Sequence, residues 1–143
     1  GNRDFAVSDL PTIFAVAGGR AYPWSDEDTA MFEHLVRFLA VDEIWHGGAV
    51  GVDEAIDLHA RRLGLGVRVF LPEPCLLPSE LARALLARTT KMIAELDHLI
   101  HVDGHRGGVL VWPGDDGTDF THGQSRRRRL HVVDLRCRLP RTT

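Results

Sequence analysis

Short apolar runs alternate with helical periods along this chain. Residues 12–17 (Thr-Ile-Phe-Ala-Val-Ala) form a continuous β-rich run that ends at Gly18-Gly19. A run that is apolar at successive positions predicts a strand buried on both faces. Ser25 then precedes Asp26, Glu27 and Asp28, a helix start in which a capping hydroxyl and first-turn acids meet free N–H groups and the positive end of the dipole. Phe32, Leu35, Val36 and Leu39 follow at i, i+3, i+4 and i+7 as one apolar stripe. Residues 43–46 predict a second strand, closed by Gly47-Gly48. A helix opening near Gly51 carries Val52, Ala55, Ile56, Ala60 and Leu63 on one side and ends at Gly64. A third strand, 67–71, is stopped by Pro72 and Pro74.

The pattern goes on with a long helix from about residue 79 to about 97 and a fourth strand at 99–102. A further strand lies at 109–112 between Gly-rich segments, then a short helix over 119–128 and a last strand over 130–133. Residues 136–143 read as a loose basic tail. Strand–helix alternation predicts parallel strands joined by right-handed crossovers. The expected fold is a single Rossmann-like α/β domain over 1–143, with a mostly parallel open sheet of about five to six strands flanked by helices. Ligands of such sheets sit at the carboxyl ends of the strands.

Composition narrows the partners. The chain has 143 residues, 44% apolar and 26% charged, which fits one globular domain with its own core. No apolar run approaches the ~18 residues that span a bilayer, and Arg3, Asp4, Asp9 and Pro11 interrupt the N-terminal stretch. The net charge of −3 is unevenly spread: residues 126–143 carry +6 and residues 1–125 carry −9. An acidic body argues against a broad nucleic-acid surface. The basic end, with the run Arg126 to Arg129, suits an acidic partner or a solvated helix end. Cys75 and Cys137 make neither a disulfide framework nor a metal spacing, so a reducing cytoplasm is the expected location. Cys75 has no paired base and His98, His101 and His105 share no helical face, so neither a nucleophile, a metal nor a cofactor is expected.

Three Gly-rich segments each follow a strand: Gly18-Gly19-Arg20, Gly47-Gly48-Ala49-Val50-Gly51-Val52-Asp53, and Pro113-Gly114-Asp115-Asp116-Gly117-Thr118. In a parallel sheet all three lie on one edge, where glycine admits a ligand to the backbone and helix starts bind anions. The second is not a phosphate loop of the Lys-Ser/Thr type, nor is its glycine spacing that of the dinucleotide fingerprint. Arg20 offers a fork for a phosphate or is a solvated turn residue. Arg88 shares an apolar stripe with Leu81, Leu85 and Met92, so its charge needs a ligand anion or an acid within the protein. If the partner is a ligand, Arg88→Leu should raise the stability of the free protein. Asp53 caps its helix or bonds a ribose. Tyr22 and Trp24 plug their loop onto the core or stack on a base.

Gly18-Gly19-Arg20, Trp24 and Asp26, the run from His46 to Asp53, and Arg88-x-x-x-Met92-x-x-x-x-Asp97 together resemble the SLOG superfamily. Within it they look most like the small stand-alone YspA-like branch of Rossmann-fold nucleotide-binding proteins, related to DprA and to the LOG phosphoribohydrolases. The resemblance covers residues 12 to about 102. It implies nucleotide binding at Gly18, Gly19, Arg20, Trp24, Gly47, Gly48, Ala49, Gly51, Asp53, Arg88, Gly117 and Thr118. The family's Gly-Ser-Arg stands here as Gly18-Gly19-Arg20, and its Arg-Asn as Arg88-Thr89. Its third glycine motif falls on Asp103-Gly104, with 105–116 an inserted hairpin, or on Pro113-Gly114. The LOG enzymes are similar in carrying Pro-Gly-Gly-x-Gly-Thr-x-x-Glu, but the catalytic Glu position is Thr121 here. The resemblance therefore implies a protein that holds a nucleotide or nucleotide-derived ligand. A homo-oligomer, as a dimer, is the expected assembly. A nucleotide hydrolase using Glu54, Asp103, Asp115, Asp116 or Asp119 is the alternative, and a DprA-like DNA-handling protein a weaker one.

Overall fold

The computed structural model describes residues 9–137. Its elements run β1 (Ile13–Ala17), α1 (Asp26–Phe38), β2 (Glu43–His46), α2 (Val52–Arg62), β3 (Gly66–Val69), a 3-10 turn (Pro78–Glu80), α3 (Leu81–His101), β4 (Gly107–Val111), α4 (Asp116–Arg127) and β5 (His131–Asp134). The five strands form one sheet in the order β3-β2-β1-β4-β5, and every pair is parallel. This is a Rossmann-like α/β domain. No helix among the described residues is long and apolar enough to cross a membrane.

Alternation along β1 divides the core. Phe14 and Val16 face a cluster with Phe32 of α1, Val52 and Ile56 of α2, and Trp112. Ile13 and Ala15 face Met92, Ile93 and Leu96 of α3 with Val109 and Val111. Successive side chains of a strand point to opposite faces, so the continuous apolar run at 12–17 is what a central strand covered by helices on both sides requires.

Four of the predicted strands are found, within one or two residues, as β1, β2, β3 and β4, and the last is β5. The strand expected at 99–102 is instead the final turn of α3, with Leu99 and Ile100 packed against the second cluster. A four-residue apolar run carries no period of its own, and here the helix upstream simply continues. The sheet therefore has five strands, and β4 occupies the place that 99–102 was expected to fill. Asp103-Gly104 precedes β4 at the amino end of the sheet, whereas Pro113-Gly114 follows it at the carboxyl end. The third loop of the edge is thus Pro113-Gly114, with no inserted hairpin. Arg136 is not loose: it bonds Asp134 and Asp119 at 3.0 Å. Residues 138–143 of the expected tail lie outside the described residues.

The β1–β4 register depends on Gly107. A Cβ there would lie 1.9 Å from the carbonyl oxygen of Ile13, its register partner. Gly107→Ala should cost ~2–4 kcal/mol, because backbone strain and displacement of a central strand pair cannot be relieved by a rotamer change. Urea unfolding of the variant checks this.

Candidate functional site at the carboxyl edge of the sheet

The loops after β1, β2 and β4 touch backbone to backbone. Gly19 N–H donates to the Pro113 carbonyl at 2.8 Å, and Val52 N–H donates to the Gly19 carbonyl at 3.2 Å. A Cβ on Gly18 would strike Val52, and one on Gly51 would meet the Gly19 and Arg20 carbonyls. Gly114 lies against Thr118 and Gly19 just as closely. Much of the glycine in these segments is thus accounted for by one loop packing on another. The edge lies where the order of connections turns from one side of β1 to the other, the usual ligand position in open α/β sheets.

The β2–α2 loop folds around its own acid. Asp53 is buried, and its Oδ2 accepts from Gly47 N–H at 3.1 Å and Ala49 N–H at 3.3 Å. It does not cap α2, whose N-cap is Gly51 without a side-chain bond. Burial pushes its carboxyl up, against the opposing pull of His46, the two N–H groups and Arg88. Gly48 N–H donates to Nδ1 of buried His46 at 2.9 Å, which leaves Nε2 as the donor to Asp57 at 2.7 Å. Asp57 also accepts from Arg61 Nε at 2.7 Å; that bond, with help from His46, holds its carboxyl below the usual range despite partial burial.

Arg88 rises beneath this loop and donates to the Gly47 carbonyl and, at 3.2 Å, to the Phe70 carbonyl. Burial lowers its pKa and nearby Asp53 opposes that shift. The charge on the apolar stripe thus finds two strand-end carbonyls and the electrostatic company of Asp53. Thr89 is buried beside it and accepts from Arg88 Nε at 3.4 Å. Asp97, last of the α3 motif, faces away from the edge and accepts from Arg128 at 2.8 Å and from His101, tying α3 to the end of α4.

The β1–α1 loop is held by Asp28. This buried carboxylate closes a capping box with Ser25 and accepts from Tyr22 at 3.0 Å and from Trp112 Nε1 at 3.2 Å. Burial opposes its ionisation, but the bonds from Ser25, Tyr22 and Trp112 outweigh burial and hold the carboxyl below the usual range. Trp24 donates to Thr29 at 2.8 Å and packs on Trp112 and His59. Tyr22 and Trp24 therefore do plug their loop onto the core, and the same two rings wall a groove of about 880 Å³ over α2, with Leu58 and Arg62 opposite and Glu54 in its lining. Arg20 stands at the neighbouring end of this loop, exposed, and its guanidinium has no side-chain partner among the described residues.

At the third loop, Asp115 caps α4 by accepting from Gly117 N–H at 3.1 Å. Thr118 is buried against Gly114. Thr121 is buried and its hydroxyl donates to the Gly117 carbonyl at 3.0 Å. Asp119 pairs with Arg136, and Asp103 lies at the opposite end of the sheet, 3.8 Å from His98. No group of three or more His, Cys, Asp or Glu suited to a metal ion occurs among the described residues. The roles of His46, Asp57 and Asp28 were not foreseen. His46 at a strand end followed by two glycines, with Asp57 eleven residues on along the next helix, was the available signal.

Two substitutions test the loop. A carboxyl whose pKa is raised on folding contributes stability that is present at acidic pH and lost as pH rises through the folded value. Asp53→Asn keeps an acceptor for Gly47 and Ala49, so it should abolish that fall in stability, read as urea midpoints at increasing pH above the ordinary carboxylate value. Arg88→Leu should lower the stability of the free protein by about 1 to 3 kcal/mol, since it strands two buried carbonyls. This reverses the expectation drawn from a ligand partner, and thermal melting of the free variant decides it.

Neither a protein-family model nor a curated protein matches this chain, so its function is read from the residues of this edge.

Proposed function

We propose that the carboxyl edge of the sheet binds a nucleotide or nucleotide-derived ligand, in the manner of the SLOG proteins that the sequence resembles. The observation that carries this reading is the place of Arg20: an exposed guanidinium without a side-chain partner among the described residues, where three glycine loops meet, beside a groove walled by Tyr22 and Trp24. An arginine fork suits a phosphate in two bonds, and the groove is of the size that takes a small organic ligand, roughly 300–1,000 Å³. The phosphate sits at Arg20, above Gly18 and Gly19, and the base and sugar extend along the groove. The N–H groups of Gly47, Gly48, Ala49 and Gly117 are already taken by Asp53, His46 and Asp115, so the charge that attracts the phosphate comes mainly from Arg20. Asp53 and Arg88 serve by keeping the loop in shape, and Thr118 by seating Gly114.

Binding without hydrolysis is the form of this proposal. Thr121 cannot ionise at neutral pH, and its hydroxyl is spent within α4. Of the acids weighed for catalysis, Asp115 caps a helix and Asp119 is paired, while Glu54 lines the groove. Glu54 favours the hydrolase reading, as a carboxylate within reach of a bound sugar. The acidic body does not favour the DNA-handling reading.

Calorimetry with a panel of nucleoside monophosphates, NAD and ADP-ribose tests the proposal. Arg20→Ala should weaken binding at least tenfold with the fold intact, because an exposed turn residue adds little to stability. No free base should be released. Unchanged affinity removes Arg20 from the site, and steady base release that is lost in Glu54→Gln promotes the hydrolase.

A further inference from the structure

The groove over α2 is ordered along its length. Its floor is one stripe of that helix and its start: Gly51, Glu54, Ala55, Leu58 and Arg62 lie at i, i+3, i+4, i+7 and i+11, and each lines it. Arg20 marks one end, since a Cβ on Gly51 would lie 2.7 Å from the Arg20 Cα. From there the helix rises about 4.5 Å to Glu54, about 10 Å to Leu58 and about 16 Å to Arg62. An anion fork, a carboxylate, an apolar floor and a second fork thus follow one another. A nucleotide is laid out in the same order: phosphate, sugar hydroxyls, flat base, and the polar edge of that base.

Most hydrogen-bonding groups along the groove are already spent. Asp57 gives Oδ2 to His46 and both oxygens to Arg61, whose Nε and Nη2 are used in return. On the ring wall, the Tyr22 hydroxyl donates to Asp28 and Trp24 Nε1 donates to Thr29. Arg62 is exposed, and its guanidinium has no side-chain partner among the described residues. The far end therefore offers a base edge a planar group that donates and cannot accept.

Building on the nucleotide reading above, we infer that the groove selects a 6-oxopurine ribonucleotide, with Arg62 donating to O6 and N7 of the base and Glu54 accepting from the ribose hydroxyls. A 6-oxopurine sets those two acceptors side by side, the spacing that an arginine fork meets in two bonds. Adenine carries an amino donor in place of O6, and a donor facing a donor leaves both unpaired. Glu54 is exposed one turn from the phosphate end, where a carboxylate can accept from a ribose diol. The same carboxylate repels a second phosphate on the sugar, which would lie beside it.

Calorimetry on the intact protein with GMP, IMP, AMP, 7-deaza-GMP and the 2′-deoxy analogue of GMP tests the selection. GMP and IMP should bind alike, and roughly tenfold or more tighter than AMP. 7-Deaza-GMP, in which C–H replaces N7, and the deoxy analogue should each bind roughly fivefold or more weakly than GMP. Arg62→Ala should bring the GMP-to-AMP ratio to within about threefold, and Glu54→Ala should do the same to the GMP-to-deoxy ratio; both side chains are exposed, so both variants should fold. AMP bound as tightly as GMP, with Arg20→Ala weakening both, overturns the inference and leaves the nucleotide reading standing. A GMP preference that survives Arg62→Ala overturns it, and so does 7-deaza-GMP matching GMP, or a deoxy analogue that binds as GMP does. Adenosine 3′,5′-bisphosphate binding tighter than GMP, and only while Arg62 is present, assigns Arg62 to a second phosphate and overturns it. Failure of every nucleotide to bind overturns both readings.

Discussion

At Gly19 a methyl group would sit 2.8 Å from the Cα of Gly114, and the Gly19 carbonyl leaves only 2.5 Å for a side chain at Gly51. Three loops from three strands can share that space only as bare backbone. From this follows the form of the whole edge. The β1 loop is clasped between its neighbours by one hydrogen bond on each side, and the first side chain free to leave the clasp is that of Arg20. Glycine acts here through close approach of main chain to main chain.

Two acids then fill the anion-binding positions of the edge from within. Asp53 takes the N–H groups of Gly47 and Ala49, and Asp115 takes the N–H of Gly117 in the first turn of α4. Backbone donors in such loops draw negative charge wherever it comes from. Here the chain supplies its own, and the Arg88 guanidinium stands nearby to offset the more deeply buried of the two carboxylates. At this edge Arg20 stands exposed, with Glu54 and Arg62 in the lining of the neighbouring groove. Asp28 does the corresponding work for the aromatic wall, holding Tyr22 and Trp112 with one carboxylate.

The strand positions, the parallel sheet and the shared edge of the glycine loops were legible because hydrophobic runs bounded by glycine report burial and turning directly. The run at 99–102 misled because four apolar residues fit the end of a buried helix as well as a strand. Side-chain destinations were less legible. The apolar stripe shows that Arg88 needs a partner, but backbone carbonyls leave no trace in a residue pattern. The position of Asp53 at a helix start suggests a cap or a ribose ligand, whereas its actual bonds depend on the loop curling back by six residues. His46 had no signal of its own, since a histidine at a strand end says nothing of the helix that will face it. The groove over α2 is assembled from positions far apart in sequence, Tyr22 and Trp24 against Leu58 and Arg62, and only the fold brings them together.

The central place of β1 has a consequence for how the chain acquires its structure. β1 pairs with β2 some thirty residues later, but its other flank waits for β4, with Ile13 in register with Gly107. During synthesis the first three strands can associate well before the fourth emerges. Throughout that interval one side of Ile13–Ala17, an apolar and β-prone segment, presents unsatisfied main-chain groups to any other nascent chain. Closure of so distant a pair is slow because the intervening loop must be ordered first. The docking of Gly107–Val111 is therefore the step that covers the open flank of β1.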